Sequence, residues 1–342
     1  MAVETVRATV EKLDRERLLS PSFSVIWHAG EPTVVGRQIY AEYFAAIQET
    51  LGSRYKVRHH FQTNGTLIDD PWCEFIHKHD ISVGVSIDGP DYIHDRQRQT
   101  RSGRGTFRKT LSGIEKLQDA GVGFHTISVV SRHSAGFASE IYQFLVSLKP
   151  NFIGFNVEEQ EGIHVTSSFQ GDMEEIGRFF KTVYELAKAT NFNPPIREFE
   201  FAFRAIQAGD GDGHNSQISP YAIFSVGVDG GFTTFSPELL GMRSSPYGSL
   251  NLGNILTDSP MEISRSEKTS LFVRSIRSGV RRCRDTCEYF GLCGGGAPSN
   301  KLFEKGSFDV AATRFCESSI KVPLRIVLED LESLLVGYSA SP

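Results

Sequence analysis

The chain has 342 residues, 39% of them apolar, with 36 Lys plus Arg against 41 Asp plus Glu and a formal net charge of −5. That length exceeds one small domain and suits a large α/β domain with a smaller one behind it. The charge balance gives no electrostatic case for nucleic acid or an anionic membrane, and no apolar run approaches the length of a membrane span; no partner of either kind is expected, and the cytoplasm is the default location.

The first segment, 3–19, reads as a charged amphipathic helix and not as a signal peptide. A strand over 22–27 ends in His28-Ala29-Gly30-Glu31-Pro32. A helix over 36–51 leads to a strand over 57–62 that ends in Thr63-Asn64-Gly65. A helix over 70–79 leads to a strand over 81–87 that ends in Asp88-Gly89-Pro90. Helix 106–120, strand 123–130, helix 136–148, strand 152–157 and helix 171–190 continue the alternation. This is the spacing of a parallel α/β barrel, whose ligands gather at the carboxyl ends of the strands. The alternation opens on a helix, so one strand and its loop are expected to be missing at the front.

The pattern changes near residue 205. Residues 208–217 read as a Gly- and Asp-rich linker, and 224–235 as a β-hairpin with an Asp-Gly turn. A final helix is expected over about 316–335. The expected division is therefore 1–205, a partial barrel, and 206–342, a cysteine-rich extension.

Four of the five cysteines, Cys283, Cys287, Cys293 and Cys316, fall in this extension, three of them close around Cys293-Gly294-Gly295-Gly296. An odd count with a tight cluster and no export signal argues for metal ligation and against a disulfide framework. Four thiolates suit either a 4Fe-4S cluster or a structural zinc, and spacing leaves both open. The glycines let backbone amides approach a cluster. Cys73, on an expected helix, reads as a packed core thiol.

The strand ends carry a resemblance. Ile26-Trp27-His28-Ala29-Gly30-Glu31-Pro32 resembles the Gly-Gly-Glu-Pro motif that follows the second strand of radical S-adenosylmethionine (SAM) enzymes, and Phe61-Gln62-Thr63-Asn64-Gly65 resembles their Gln-Thr-Asn-Gly strand end. Ser86-Ile87-Asp88-Gly89-Pro90, His94-Asp95, Arg98 and Gly105-Thr106-Phe107 resemble the run found in members with SPASM-type extensions. Four such strings in order, each at an expected strand end with a Cys-rich extension behind, make the resemblance specific. It implies an α/β fold: a partial TIM-like radical SAM barrel with its first strand missing, and a SPASM/twitch-like extension. It also implies SAM as a cofactor. Backbone at Gly30, Glu31 and Pro32 would receive the SAM amino group, Ser86 and Arg98 would reach its ribose and carboxylate, and Gln62, Asn64 and Asp88 would shape the site.

Residues 62–68, 154–159, 234–241 and 287–298 together resemble the GrrM/OscB-type cyclophane-forming peptide maturases, over residues 3 to about 330. That implies a ribosomal precursor peptide as substrate, an aromatic ring joined to a nearby β-carbon, and an electron donor such as a flavodoxin or ferredoxin. Two departures matter. The hairpin reads Phe235-Ser236-Pro237 without Cys, and Ala297 stands where another Cys belongs, so one auxiliary 4Fe-4S cluster, on Cys283, Cys287, Cys293 and Cys316, is expected. The Cys-x3-Cys-x2-Cys motif of the catalytic 4Fe-4S cluster is absent, with no Cys before Cys73. The expectation is that a missing N-terminal segment would restore it, or that the protein is a non-catalytic remnant that grips SAM or a peptide beside a partner. A zinc-stabilised scaffold is the third reading. Glu158, Glu159 and Glu161 after the fifth strand and Glu238 after the hairpin are candidate proton acceptors, each with a solvated loop carboxylate as its plain alternative. His28 either faces the cavity or packs the strand end.

Overall fold

The structure, a computed structural model, describes residues 1–160, 162, 166–169, 173–209 and 215–339. In chain order the first part is α1 (Val3–Arg15), β1 (Ser22–Trp27), α2 (Arg37–Leu51), β2 (Lys56–Thr63), α3 (Asp70–Lys78), β3 (Ser82–Ser86), α4 (Asp91–Gln97), α5 (Phe107–Asp119), β4 (Phe124–Val130), α6 (Arg132–Ala135), α7 (Ala138–Ser147), β5 (Ile153–Val157), α8 (Met173–Ala189) and α9 (Arg197–Ala208). The five strands form one sheet in the order β1-β2-β3-β4-β5, every neighbour parallel. Sequential parallel order with helical crossovers is half of a (β/α) barrel, and it brings all five strand carboxyl ends to one edge.

The strands sit where their alternation places them. Along β4, Phe124, Thr126, Ser128 and Val130 are buried, while His125, Ile127 and Val129 are half-buried. The buried set faces the helices and the other set faces the open concave side. The helix-facing layer between β1, β2, α2 and α3 is aromatic: Trp27 stacks on Tyr43 at 5.3 Å and Phe44 on His59 at 3.8 Å. Burial in that layer pulls the His59 imidazole down to about 4. Cys73 is packed here as expected, at 2% exposure. Helix starts follow local chemistry: Asp69 caps α3 by accepting from the Trp72 amide at 2.8 Å, with Pro71 in the first turn.

Helices α4, α6 and α9 and one extended stub escaped the sequence pattern in this part. Past α8, the Ile153 amide donates to the Pro195 carbonyl at 3.0 Å and Ile153 bridges to Ile196, so an extended stub flanks β5 before α9 begins. The stub is too short for periodicity to show. Expected helix 171–190 starts at Met173 among the described residues.

The second part comprises β6 (Phe224–Val226), β7 (Gly231–Thr234), β8 (Arg243–Ser244), β9 (Gly248–Ser249), β10 (Gly253–Asn254), α10 (Pro260–Ser264), α11 (Glu267–Thr286), α12 (Phe290–Cys293), α13 (Pro298–Lys305) and α14 (Val322–Ser339), the last entered through a π-helical turn, Cys316–Lys321. The expected hairpin is β6-β7, turned at Asp229-Gly230, where Gly230 takes φ +83° and Asp229 Oδ1 accepts from the Gly231 amide. It packs with α11 and α13 on a core of its own that includes Phe232, Phe235, Phe272, Leu302 and Phe308. Gly279 is required in α11: a Cβ there would lie 2.1 Å from the Phe308 carbonyl oxygen. The expected linker 208–217 falls partly outside the described residues. Helix α14 returns to the first core, with Asp330 accepting from Tyr184 and pairing with Lys188 of α8.

Candidate functional site

The strand-end edge is organised by two carboxylates. Glu31, after β1, accepts from the Thr33 amide at 3.0 Å, from Thr63 Oγ1 at 2.6 Å and from the Asn64 amide at 2.7 Å. It therefore ties the loop after β1 to the end of β2 through charge-assisted bonds. Beside it Gly30 takes φ +62°, with no atom within 4 Å of where a Cβ would stand, so its backbone borders open space. Asn64 Oδ1 accepts from Thr66, which holds the turn after β2.

Asp88, after β3, is 1% exposed and is gripped bidentately by Arg98, Nε to Oδ2 at 2.6 Å and Nη2 to Oδ1 at 3.0 Å. The Val129 amide donates to the same carboxylate at 2.9 Å, which joins the ends of β3 and β4. Ser86 Oγ accepts from Gln62 Nε2 at 3.1 Å across the concave face. Gly84 permits this: a Cβ there would meet Gln62 Oε1 at 2.2 Å and His125 Nε2 at 2.4 Å. The structure thus gathers Gly30, Glu31, Gln62, Asn64, Ser86, Asp88 and Arg98 along one edge. Pro32, itself buried, starts a short turn whose last two residues, Val34 and Val35, are exposed, and its carbonyl accepts from Tyr40 Oη.

The extension meets this edge. Asn300 Nδ2 of α13 donates to Glu159 Oε2, while within the extension Ser236 Oγ bonds Ser299 Oγ at 3.1 Å. Glu238 accepts from Ser236 Oγ. Burial pushes the Glu238 carboxyl above the usual carboxylate range, against its own backbone amide and the nearby charge of His28. His28 is exposed at the end of β1, facing the extension's carboxylate. Glu158 instead accepts from the Ser168 amide at 2.7 Å. Glu161 lies outside the described residues. Ser299, Asn300 and Lys301 were missed in the sequence. Their signal was three polar residues after Pro298, at the start of a helix following the Gly-rich turn.

Three of the cysteines, Cys283, Cys287 and Cys293, lie around the turn between α12 and α13. Cys293 lies near Cys283 and Cys287, and accepts hydrogen bonds from the Gly295 and Gly296 amides; burial raises its thiol and these amides oppose the rise. Gly294, Gly295 and Gly296 all take positive φ, 72°, 116° and 73°, which aims successive amides inward. Cys316 accepts from the Thr313 amide at 3.4 Å, and Lys321 is close to both Cys316 and Cys287. Cys283 Sγ receives the Lys301 ammonium at 3.3 Å. Among the described residues no three His, Cys, Asp or Glu side chains stand in a metal-holding arrangement. The donor chemistry nevertheless fits an anionic thiolate-bound group: soft sulfurs, convergent amides, and a lysine that is 3% exposed with no carboxylate partner among the described residues. The strand-end edge likewise fits an amino-acid moiety, with open backbone at Gly30 and a held guanidinium at Arg98.

A half-barrel with these strand ends and a cysteine-bearing extension defines the radical SAM class. The Radical SAM superfamily model matches residues 2–135. The chain is 39% identical over 321 residues to the uncharacterized protein sll1766 of Synechocystis sp., covering 92% of this chain and 80% of that one. The chain belongs to the radical SAM superfamily. It is also 25% identical over 309 residues to the serine-type anaerobic sulfatase-maturating enzyme of Bacteroides thetaiotaomicron, covering 87% of this chain and 74% of that enzyme. Among solved structures, native anSMEcpe with bound AdoMet and Kp18Cys peptide superposes with a TM-score of 0.79 at 23% identity, covering 98% of this chain and 90% of that one. No described helix is long and apolar enough to cross a membrane.

Proposed function

We propose that the chain is a radical SAM peptide maturase that joins an aromatic ring to a nearby β-carbon of a ribosomal precursor peptide. The observation that carries this reading is the meeting of the strand-end edge with the extension, through the Glu159–Asn300 bond and through Glu238, which lies near His28. A site bounded by SAM-type loops on one side and a thiol cluster on the other suits a substrate that is an extended chain. The sulfatase-maturating relative and the peptide-bound anSMEcpe structure support a peptide or protein as substrate.

In this reading residues 1–205 form the barrel and 206–342 the cluster-bearing extension. Gly30, Glu31 and Pro32 present backbone to the SAM amino group, Ser86 meets the ribose, and Arg98, held by Asp88, meets the carboxylate. Gln62 and Asn64 keep the strand end in shape. Cys283, Cys287, Cys293 and Cys316 hold one auxiliary 4Fe-4S cluster. Residues 1–72 offer no thiolate for a catalytic cluster; where such a cluster is supplied, SAM bound beside it would furnish the radical that removes a hydrogen atom from the substrate. Glu238, half-buried and near His28, with its carboxyl raised by burial, takes the proton released when the ring regains aromaticity; Glu158 and Glu159 are the further candidates. An acidic flavodoxin or ferredoxin carries electrons.

A second reading is favoured by one observation: residues 1–72 contain no cysteine to hold a catalytic cluster. It makes the protein a SAM- or peptide-binding partner without reductive cleavage. One experiment separates the two. The anaerobically reconstituted chain is assayed for SAM binding by equilibrium dialysis, for 5′-deoxyadenosine under strong reductant, and, after co-expression with short peptides encoded nearby, for peptides lighter by two hydrogens per crosslink. A lighter peptide supports the maturase. SAM binding without 5′-deoxyadenosine, persisting when a Cys-x3-Cys-x2-Cys segment is fused ahead of Met1, supports the second reading; absence of SAM binding overturns the maturase and leaves only a peptide-binding partner.

A further inference from the structure

Helix α11 carries Arg274, Arg277, Arg281 and Arg284 at spacings of three, four and three residues, which aligns them on one face. All four are exposed, and among the described residues none forms a salt bridge, although Arg281 feels the charge of Asp309 and Arg284 lies over the Phe290 ring at 5.2 Å; their neighbour Arg282 pairs with Asp309 at 2.7 Å. The opposite face, Phe272, Ile276, Gly279 and Cys283, is buried in the extension core. The stripe spans about 15 Å along the helix axis. Arg277, Arg281 and Arg284 line a groove of about 400 Å³, shared with Ile218 and Pro220. Val280, also in that groove, would touch a Cβ on Gly295 at 3.2 Å, so the groove backs onto the Cys293–Gly296 turn.

In a chain of net charge −5, four guanidinium groups without a salt bridge on one helix face make a locally positive stripe. They repel one another, and an acidic surface laid along them relieves that repulsion. We propose that this arginine stripe is the docking surface for a small acidic electron-carrier protein of the flavodoxin or ferredoxin class, seated at the cysteine end of α11. The assignment rests on reading the four cysteines as a redox cluster site. Its placement follows from the helix: Arg284 adjoins Cys283 and lies within one turn of Cys287, so a carrier on the stripe brings its redox group to the thiols. A substrate peptide is the poorer occupant. It has to reach Ser299 and Asn300 on α13, and the core of Phe272, Leu302 and Phe308 separates that side from the stripe.

The test is binding of a fluorescently labelled recombinant flavodoxin to the full chain, followed by anisotropy at low and physiological salt, with iron content measured in parallel. Docking needs no loaded cluster, so its failure is distinct from failure of the cluster reading. The expected result is salt-sensitive binding that weakens at least about tenfold in the Arg277→Glu/Arg281→Glu variant and is unchanged in Arg108→Glu, on the barrel helix α5. Equal binding by the double variant, or no salt-sensitive binding by the parent chain, overturns the surface. Displacement of flavodoxin by an equimolar polyglutamate peptide reassigns the stripe to acidic peptide segments and overturns the carrier.

Discussion

The Lys301 ammonium stands 3.3 Å from Cys283 Sγ, on a side chain that is 3% exposed. A buried cation beside a thiol favours the thiolate, and beside a redox cluster it favours the more negative, reduced form. Lys301→Met is expected to move the midpoint potential of the reconstituted cluster by about 60 mV to the negative, ~1.4 kcal/mol for one electron, with Lys301→Arg restoring part of the shift. Potentiometric titration followed by electron paramagnetic resonance reads it. An unchanged potential would show that the ammonium does not act on the cluster.

The same cysteines decide the metal. Anaerobic reconstitution is expected to give about four irons and four sulfides per chain, and Cys293→Ala to lose most of them. Stoichiometric zinc with no visible charge-transfer absorbance would establish the zinc scaffold instead.

Arg98 is a positioning group for Asp88 before it is anything else. Arg98→Met strands a carboxylate that is 1% exposed and is expected to cost about 3 kcal/mol in urea unfolding, while Arg98→Lys loses the bidentate grip and costs less. SAM affinity by equilibrium dialysis is expected to fall at least about tenfold in both. Retained affinity in Arg98→Met would remove Arg98 from the SAM site.

Glu31→Gln replaces an acceptor-only carboxylate with an amide that cannot accept from Thr33, Thr63 and Asn64 together. A loss of about 2 kcal/mol in stability is expected, with weaker SAM binding because the Gly30 loop loses its anchor. Native-state hydrogen exchange at Asn64 would rise, and an unaltered exchange rate would contradict the bracing role.

Burial holds His59 and His125 down to about 4 in the folded chain, against 6.5 ordinarily. Below 6.5 the unfolded chain binds protons that the folded chain refuses. Their contribution is therefore complete above 6.5 and is lost as pH falls toward 4, by up to ~3 kcal/mol per histidine. The urea midpoint is expected to drop across that window, and His125→Gln to flatten the drop. An equally steep decline in that variant would assign the loss to other groups.

Much of the fold was legible because strand alternation and helical periodicity are properties of neighbouring residues. The five strands and the helices expected between them fall within a few residues of where the pattern puts them, and the loops after Trp27, Gln62 and Ser86 announced the strand-end edge. The Asp-Gly turn between β6 and β7 was legible for the same local reason. Helices α4, α6 and α9 to α13 and the small strands around Gly248 were not. They are short or polar, and packing, as on Phe199 or Leu302, selects them where periodicity does not. Only the tertiary structure decided which side chains meet. Arg98 turns to Asp88, Asn300 to Glu159 and Lys301 to Cys283, because these partners are brought together by sheet order and by the docking of the extension, and a linear sequence carries no record of such distances. The arginine face of α11 belongs to both levels: its spacing stands in the sequence, but its exposure and the groove beside it exist only once Phe272 and Ile276 have turned inward.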